Sequence, residues 1–150
     1  MIQKLNAMKA ISIKSLVLLL LTFYGVAGAQ SESHEGISFF NGTLKEAIAK
    51  AKAENKFVFF DAYASWCGPC KAMDKDVFTD KTVSAYLNAK FVSIRIDMEK
   101  GEGPVLAKKY ASINGYPSLL FLDSGGMALK TLLGSRDAED FLAEAKLVAK

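Results

Sequence analysis

The sequence predicts an α/β domain with a central mixed β-sheet and helices on both faces. Three observations predict it. Helical and strand-like patterns alternate from residue 43 onward, FVFF at 57–60 is a continuous apolar run typical of a strand covered on both faces, and SGG joins two strand-like runs, SLLFLD and MALKTLL. A parallel βαβ unit followed by an antiparallel hairpin gives a mixed sheet.

Residues 1–29 have the pattern of a secretory signal peptide. Three lysines form a basic start, the apolar run SLVLLLLTFYGVAGA follows from Ser15, and AGA at 27–29 fits the small-residue cleavage pattern. A retained membrane anchor is the alternative, but an anchor needs about 20 apolar residues and this run is shorter and contains glycines. We therefore expect an exported protein, in the bacterial periplasm, whose mature chain starts at Gln30.

The mature chain is expected to carry no net charge. The whole sequence has 19 Lys and Arg against 16 Asp and Glu, and the leader contains three of the lysines and none of the acids. No basic patch remains, so the composition gives no argument for a nucleic-acid partner. At 150 residues, 51% of them apolar, the chain predicts one compact domain, which we expect to be monomeric.

The domain is predicted over residues 43–150, after an arm at 30–42 that begins with the polar stretch QSESHEG and that we expect to be flexible. Thr43 and Glu46 form a capping-box pattern, and the helical spacing of apolar residues continues to Asn55. The strand FVFF then leads the chain directly into WCGPC.

Further helices and strands are predicted beyond the cysteines. CKAMDKDVF suits a helix whose first turn holds the cysteines, DKTVSAYLNAK a second helix, FVSIRID at 91–97 an alternating strand, and GEGPVLAKKYA a short helix. NGYP breaks the chain before the hairpin. Ser135 is predicted to cap a last helix with acids in its first turn and lysines near its end.

Cys67 and Cys70 are the two cysteines of the sequence. A bridge across so short a gap constrains the unfolded chain very little, so it would be a weak structural staple. A tetrahedral metal site needs four ligands and the sequence offers only His34 besides, which we expect to be a solvated arm residue, so no metal site is predicted.

The C-x-x-C pair at a strand-to-helix junction, in the local form WCGPC, resembles the redox site of the thioredoxin superfamily. The resemblance covers about residues 43–149 by element order. Asp61 precedes Cys67 at the matching distance, and Tyr116-Pro117 lies where that superfamily keeps a cis-proline facing the disulfide. Ser93 departs from the pattern, since it occupies the place of the lysine that accompanies the buried aspartate. Charge compensation for Asp61 must therefore differ here.

The sequence around the cysteines is similar to a subgroup of that superfamily. DAYASWCGPCKAMDKDVFTDKTV resembles the C-terminal domain of DsbD-type membrane thiol:disulfide interchange proteins, which have an acid four residues after the second cysteine. Asp74 matches that acid. It is expected to be either a second proton acceptor near the thiols or a solvated helix carboxylate.

The resemblance implies a role for each residue of the motif. Cys67, at a helix N-terminus, is the expected attacking thiolate, with Lys71 one turn along either as a further aid or as a solvated lysine. Cys70, expected to be less exposed, attacks second and releases the product. Burial is expected to raise the pKa of Asp61, which would then take the proton of Cys70, unless Asp61 is an ordinary strand-end aspartate in water.

The resemblance also implies a binding groove for clients beside the cysteines. Tyr63 and Trp66 are expected either to line this groove or to belong to the core. The expected substrate-binding residues are Trp66, Gly68, Pro69, Tyr116 and Pro117.

Gly68-Pro69 indicates the direction of electron flow. The pair adds no donor that would stabilise the thiolate, whereas oxidases and isomerases of the superfamily usually carry a histidine there, so we expect a reductant near about −270 mV. Its substrates would be protein disulfides, a membrane thiol carrier would supply electrons, and the cysteine pair would serve in place of a cofactor. The alternatives are an oxidase or isomerase, a non-catalytic client-binding module, and a thiol peroxidase.

Overall fold

The computed structural model describes residues 36–110 and 112–150, which form a four-stranded mixed sheet and five helices. In chain order the elements are α1 (Leu44–Glu54), β1 (Phe57–Tyr63), α2 (Gly68–Asp76), α3 (Lys81–Lys90), β2 (Phe91–Asp97), α4 (Gly103–Lys109), β3 (Ser118–Leu122), β4 (Ala128–Leu133) and α5 (Ala138–Val148). The predicted signal peptide, the first part of the predicted arm and His34 lie outside the described residues. Among the described residues, no helix is long and apolar enough to cross a membrane.

The sheet has the strand order β2-β1-β3-β4. β1 runs parallel to β2 and antiparallel to β3, and β3 runs antiparallel to β4, which confirms the predicted mixed sheet. β1 is longer than the apolar run FVFF, because residues 58–62 pair with neighbouring strands on both sides. Asp61 therefore lies within a central strand rather than at its end, opposite Arg95 of β2.

Alternate residues of β1 face two separate apolar layers. Phe60 faces the layer that contains buried side chains of α1 and α4, and Phe59 faces the layer that contains those of α2, α3 and α5. The ring centroid of Phe59 lies 5.1 Å from that of Phe141 and 5.4 Å from that of Phe121. The prediction of helices on both faces is thus confirmed.

The segment before α1 packs on the domain, which corrects part of the predicted flexible arm at 30–42. Ile37 N donates to the Phe78 carbonyl and Phe40 N to the Ser93 carbonyl, each at 2.7 Å, and Phe39 forms a parallel bridge with Ser93. The first four residues of β2 are all buried rather than alternating as predicted, because both faces of β2 are covered: Phe91 packs in the layer of α2, α3 and α5, and Val92 and Ile94 in that of α1 and α4.

The helix caps agree with the sequence at α1 and differ at α2 and α5. Glu46 N donates to Thr43 Oγ1 and Thr43 N to Glu46 Oε2, which confirms the capping box. Cys67 is the N-cap of α2 rather than a residue of its first turn. The prediction that Ser135 caps the last helix is wrong: Asp137 is the N-cap of α5, because its carboxylate accepts the Asp140 amide at 2.8 Å.

Candidate active site

A disulfide between Cys67 and Cys70 lies where β1 ends and α2 begins. Both cysteines are 2% exposed, since Tyr63 and Tyr116 pack against them. The expectation that Cys70 is the less exposed of the two is therefore wrong for the oxidised protein. Cys70 N donates to Cys67 Sγ at 3.2 Å.

The start of α2 suits a negative charge on the sulfur of Cys67. In the disulfide, the sulfur of Cys67 accepts the backbone N–H of Cys70 in the first helical turn. A helix N-terminus stabilises a thiolate through such amides and through its dipole. Gly68 and Pro69 are exposed in that turn, and Lys71 is an exposed residue of α2.

An exposed aromatic surface lies beside the disulfide. The peptide bond between Tyr116 and Pro117 is cis, in agreement with the resemblance, and Pro117 is buried. Trp66 is 65% exposed and meets the Tyr116 ring edge-on, with 6.0 Å between centroids. Trp66 thus belongs to the surface, whereas Tyr63 is half-buried against the cysteines.

Asp61 is a buried acid of β1, only 1% exposed, which excludes the alternative of a carboxylate in water. Burial raises its pKa to about 7, and the negative charge of Asp74 adds to that rise, while Arg95 opposes it. The predicted direction of the shift is confirmed. A carboxyl with a pKa near 7 can exchange a proton at neutral pH.

Arg95 supplies the positive charge that compensates Asp61, and the sequence reasoning missed it. Its Nε donates to Asp61 Oδ2 at 3.1 Å. Ser93, which stands in place of the expected lysine, is buried, and its hydroxyl has no hydrogen-bond partner among the described residues. The sequence contained a signal for this contact, since aligning Phe57 with Phe91, the apolar starts of the two parallel strands, places Arg95 opposite Asp61.

Asp74 is partly buried on α2 and also pairs with Arg95. Arg95 Nη1 approaches Asp74 Oδ1 at 2.6 Å as an ion pair, without the alignment of a hydrogen bond. The Asp74 side chain is 35% exposed. Asp74 is therefore not a freely solvated carboxylate, because it is tied to the group that holds Asp61.

Glu99 is a second residue that the sequence did not single out. The Trp66 indole N–H lies 3.0 Å from each of its carboxylate oxygens. Glu99 follows the carboxyl end of β2 and Trp66 follows that of β1, and parallel strands bring these ends to the same edge of the sheet. That relation could have indicated the contact.

A family model described as thioredoxin-like matches residues 40–124. The chain belongs to this thioredoxin-like family. It is 34% identical over 127 residues to the thiol:disulfide interchange protein DsbD of Ralstonia nicotianae, a match that covers 80% of this chain and 20% of the relative. The chain therefore spans about a fifth of the length of that relative.

Solved structures of the thioredoxin-like family share the fold described above. A putative disulphide-isomerase from Bacteroides thetaiotaomicron is 43% identical, with a TM-score of 0.69 and coverage of 77% of this chain and 95% of the other. The oxidised C-terminal domain of Neisseria meningitidis DsbD is 28% identical, with a TM-score of 0.60 and coverage of 74% and 99%. These likenesses confirm the predicted fold class and the resemblance.

The arrangement has the parts that thiol–disulfide exchange requires. One sulfur lies at a helix N-terminus, a second lies one turn away, and a buried acid with a pKa near neutrality shares a guanidinium with a partly exposed acid. Among the described residues, no three His, Cys, Asp or Glu side chains are grouped so as to hold a metal ion.

Proposed function

We propose that this protein is an extracytoplasmic thiol:disulfide oxidoreductase that reduces disulfide bonds of client proteins. One observation carries the proposal: the Cys67–Cys70 disulfide begins a helix, with a backbone amide of the first turn donating to the sulfur of Cys67. This placement favours a thiolate at Cys67 once the pair is reduced.

The proposed reaction has two exchange steps. The Cys67 thiolate attacks one sulfur of a client disulfide, forming a mixed disulfide and releasing the other client sulfur as a thiolate. Cys70 then gives up its proton and attacks Cys67 Sγ, which breaks the mixed disulfide and closes the Cys67–Cys70 bond. The client gains two electrons, and the protein loses two.

Asp61 is the proposed acceptor of the proton that Cys70 releases in the second step. Its pKa near 7 allows it to be ionised in part of the molecules at neutral pH and to pass the proton on afterwards. Asp74 is the proposed second acid of this site, because it pairs with the same guanidinium and reaches water.

The client is proposed to bind along the surface formed by Trp66, Gly68, Pro69, Tyr116 and Pro117. Trp66, Gly68 and Pro69 are exposed, and the cis bond at Pro117 lies next to Tyr116, which packs against the cysteines. An extended client segment beside Pro117 could pair with backbone groups there, as peptides do at other exposed strand-like segments.

Reduction is the favoured direction because Gly68 and Pro69 bring no side-chain donor that would hold Cys67 as a thiolate. A less stabilised thiolate makes the reduced pair a better electron donor. Electrons are proposed to come from a membrane thiol carrier, which the similarity to proteins named for thiol:disulfide interchange supports. The leader pattern supports export to the periplasm. We further propose that the protein is a monomer and needs no cofactor besides the cysteine pair.

A disulfide isomerase is the second candidate, since the Bacteroides protein that shares 43% identity is described as a putative disulphide-isomerase. The reduction potential separates the two. The purified protein is equilibrated with defined dithiothreitol or glutathione buffers, and the reduced fraction is measured by alkylation of the thiols. A potential near about −270 mV supports the reductase, and one above about −180 mV supports an oxidase or isomerase.

Trapping the mixed disulfide tests the chemistry itself. Cys70→Ser should accumulate a covalent complex with a client, because the resolving sulfur is missing, and Cys67→Ser should form none. Client affinity and cellular function that survive in Cys67→Ser would instead indicate a non-catalytic binding module.

A further inference from the structure

We propose that Arg95 is a positioning residue for the exchange reaction: one guanidinium holds the carboxyls of both Asp61 and Asp74 and thereby sets the pH at which Asp61 can accept the proton of Cys70. The proposal rests on the proposed function, since it assigns a role in the second exchange step.

Arg95 joins three elements of the site. Its Nε donates to Asp61 of β1 at 3.1 Å, while its Nη1 lies 2.6 Å from Asp74 of α2. The two contacts use different nitrogens, so they exist together. The planar fork of a guanidinium allows this, whereas a lysine ammonium is a single point charge.

Aromatic rings hold the guanidinium in place. Its central carbon lies 4.4 Å from the ring centroid of Tyr63, 5.4 Å from that of Phe39 and 6.0 Å from that of Phe78. Tyr63 also packs against the cysteines. The cation therefore contacts one ring that packs against the cysteines and another from the segment before α1, and its side chain is only 23% exposed.

The charges around Asp61 make the role of Arg95 testable, because they should shift the ionisation of Asp61 in opposite directions. Two charged side chains lie near Asp61: Arg95 of β2 and Asp74 of α2, one turn after Cys70. On β3, the residue that pairs with Asp61 is Leu119, and neither it nor its neighbour Ser118 is charged. Arg95 attracts the ionised form of Asp61 and Asp74 repels it. Removing the arginine and removing the second acid should therefore have opposite effects.

Each substitution changes the proton affinity of Asp61 through a different contact. Without Arg95, two carboxyls face each other with no cation between them, so Asp61 keeps its proton to higher pH. Without the charge of Asp74, the guanidinium serves Asp61 alone, so Asp61 ionises at lower pH. Arg95→Lys keeps the charge but loses the planar fork of the guanidinium. The pH at which Asp61 ionises in this variant should therefore lie between its values in the wild type and in Arg95→Met.

The experiment compares the purified wild-type protein with Arg95→Met, Arg95→Lys and Asp74→Asn. The rate of insulin disulfide reduction, with dithiothreitol as the electron donor, is measured from pH 5 to 9, and thermal unfolding confirms that each variant is folded. We expect the pH at the midpoint of the rate increase to be higher by about one unit or more in Arg95→Met and lower in Asp74→Asn. In an Asp61→Asn background the Arg95→Met shift should vanish.

Equal midpoints in wild type and Arg95→Met, or shifts of the same sign in Arg95→Met and Asp74→Asn, would overturn the proposal. If Arg95→Met does not fold, Arg95→Lys and Asp74→Asn should still shift the pH midpoint of the rate increase in opposite directions. If the wild type fails to reduce insulin, the proposed function fails. The Arg95 proposal is then judged by carboxyl NMR titration of Asp61 in the oxidised proteins, where the same opposite shifts are expected.

Discussion

The Trp66 indole N–H lies 3.0 Å from both carboxylate oxygens of Glu99, although Trp66 is otherwise 65% exposed. A large ring on the surface has many orientations, and this contact fixes one of them, edge-on to Tyr116 and beside the disulfide. Glu99 therefore positions one wall of the proposed client surface.

Glu99→Ala is expected to slow the reduction of protein clients because the indole loses its acceptor. A net hydrogen bond of about 1 kcal/mol corresponds to about a fivefold lower kcat/KM for insulin. Glu99→Gln keeps an amide oxygen as acceptor and should stay close to wild type. Trp66 is the single tryptophan of the sequence, so its fluorescence anisotropy reports ring mobility directly and should fall only in Glu99→Ala. An equal loss of kcat/KM in the two variants would show that the charge of Glu99 matters, instead of its hydrogen bond to Trp66.

Asp61 should make the folded protein less stable as the pH rises through neutrality. The pKa is about 7 in the folded state against an ordinary value of 3.8, so between these values the folded state holds a proton that the unfolded state has released. The free energy of unfolding then decreases as the pH rises from about 4 to about 7, by up to about 4 kcal/mol at 1.4 kcal/mol per pKa unit. Below this window both states are protonated, and above it the full cost of the buried charge is present.

Urea unfolding of the oxidised protein at pH 4.5, 6 and 8 measures this dependence, with Asp61→Asn as the comparison. The amide does not ionise, so the variant should show a flatter profile and exceed the wild type in stability at pH 8. A wild-type profile as flat as that of Asp61→Asn would contradict the raised pKa.

Features set by neighbours along the chain were predictable from the sequence. The capping box of Thr43 and Glu46 spans one helical turn, and the cysteines follow a strand directly, so local pattern was enough. Arg95 was missed because its meaning depends on strand register: it meets Asp61 only once β1 and β2 are aligned. The docking of Phe39 on Ser93 likewise joins residues far apart in sequence, and the apolar run ISFF at 37–40 was the one local sign of it, directly after the polar QSESHEG.

The cap of α5 shows why even a local prediction can fail. Ser135 and Asp137 are both good N-cap residues within three positions, and only backbone geometry decides between them. Asp137→Ala should therefore destabilise the protein by about 1 kcal/mol, because the Asp140 amide loses its acceptor. Ser135→Ala, the matched control, should change stability by less than about 0.5 kcal/mol. Urea unfolding at pH 7 compares them, and a larger loss in Ser135→Ala would reverse the assignment.

Gly103 lies at the start of α4 where the chain passes close to the end of β2. A Cβ on Gly103 would come within 2.3 Å of the Asp97 carbonyl oxygen and 2.5 Å of the Met98 Cα, both of them backbone atoms. Alanine normally stabilises a helix relative to glycine by about 0.5–1 kcal/mol, but here the backbone must move to admit the methyl group. Gly103→Ala should instead destabilise the protein by about 1–3 kcal/mol.

Gly68→Ala is the control for Gly103→Ala, since it too lies at a helix start and its Cβ would have no neighbour within 4 Å. Its stability should be unchanged or slightly higher in thermal unfolding of the oxidised proteins. Because Glu99 follows Asp97 and Met98 on the same turn, displacement of that backbone should also loosen the Trp66 contact. Trp66 fluorescence anisotropy in Gly103→Ala is therefore expected to fall below the wild-type value. An unchanged anisotropy together with lost stability would confine the strain to α4.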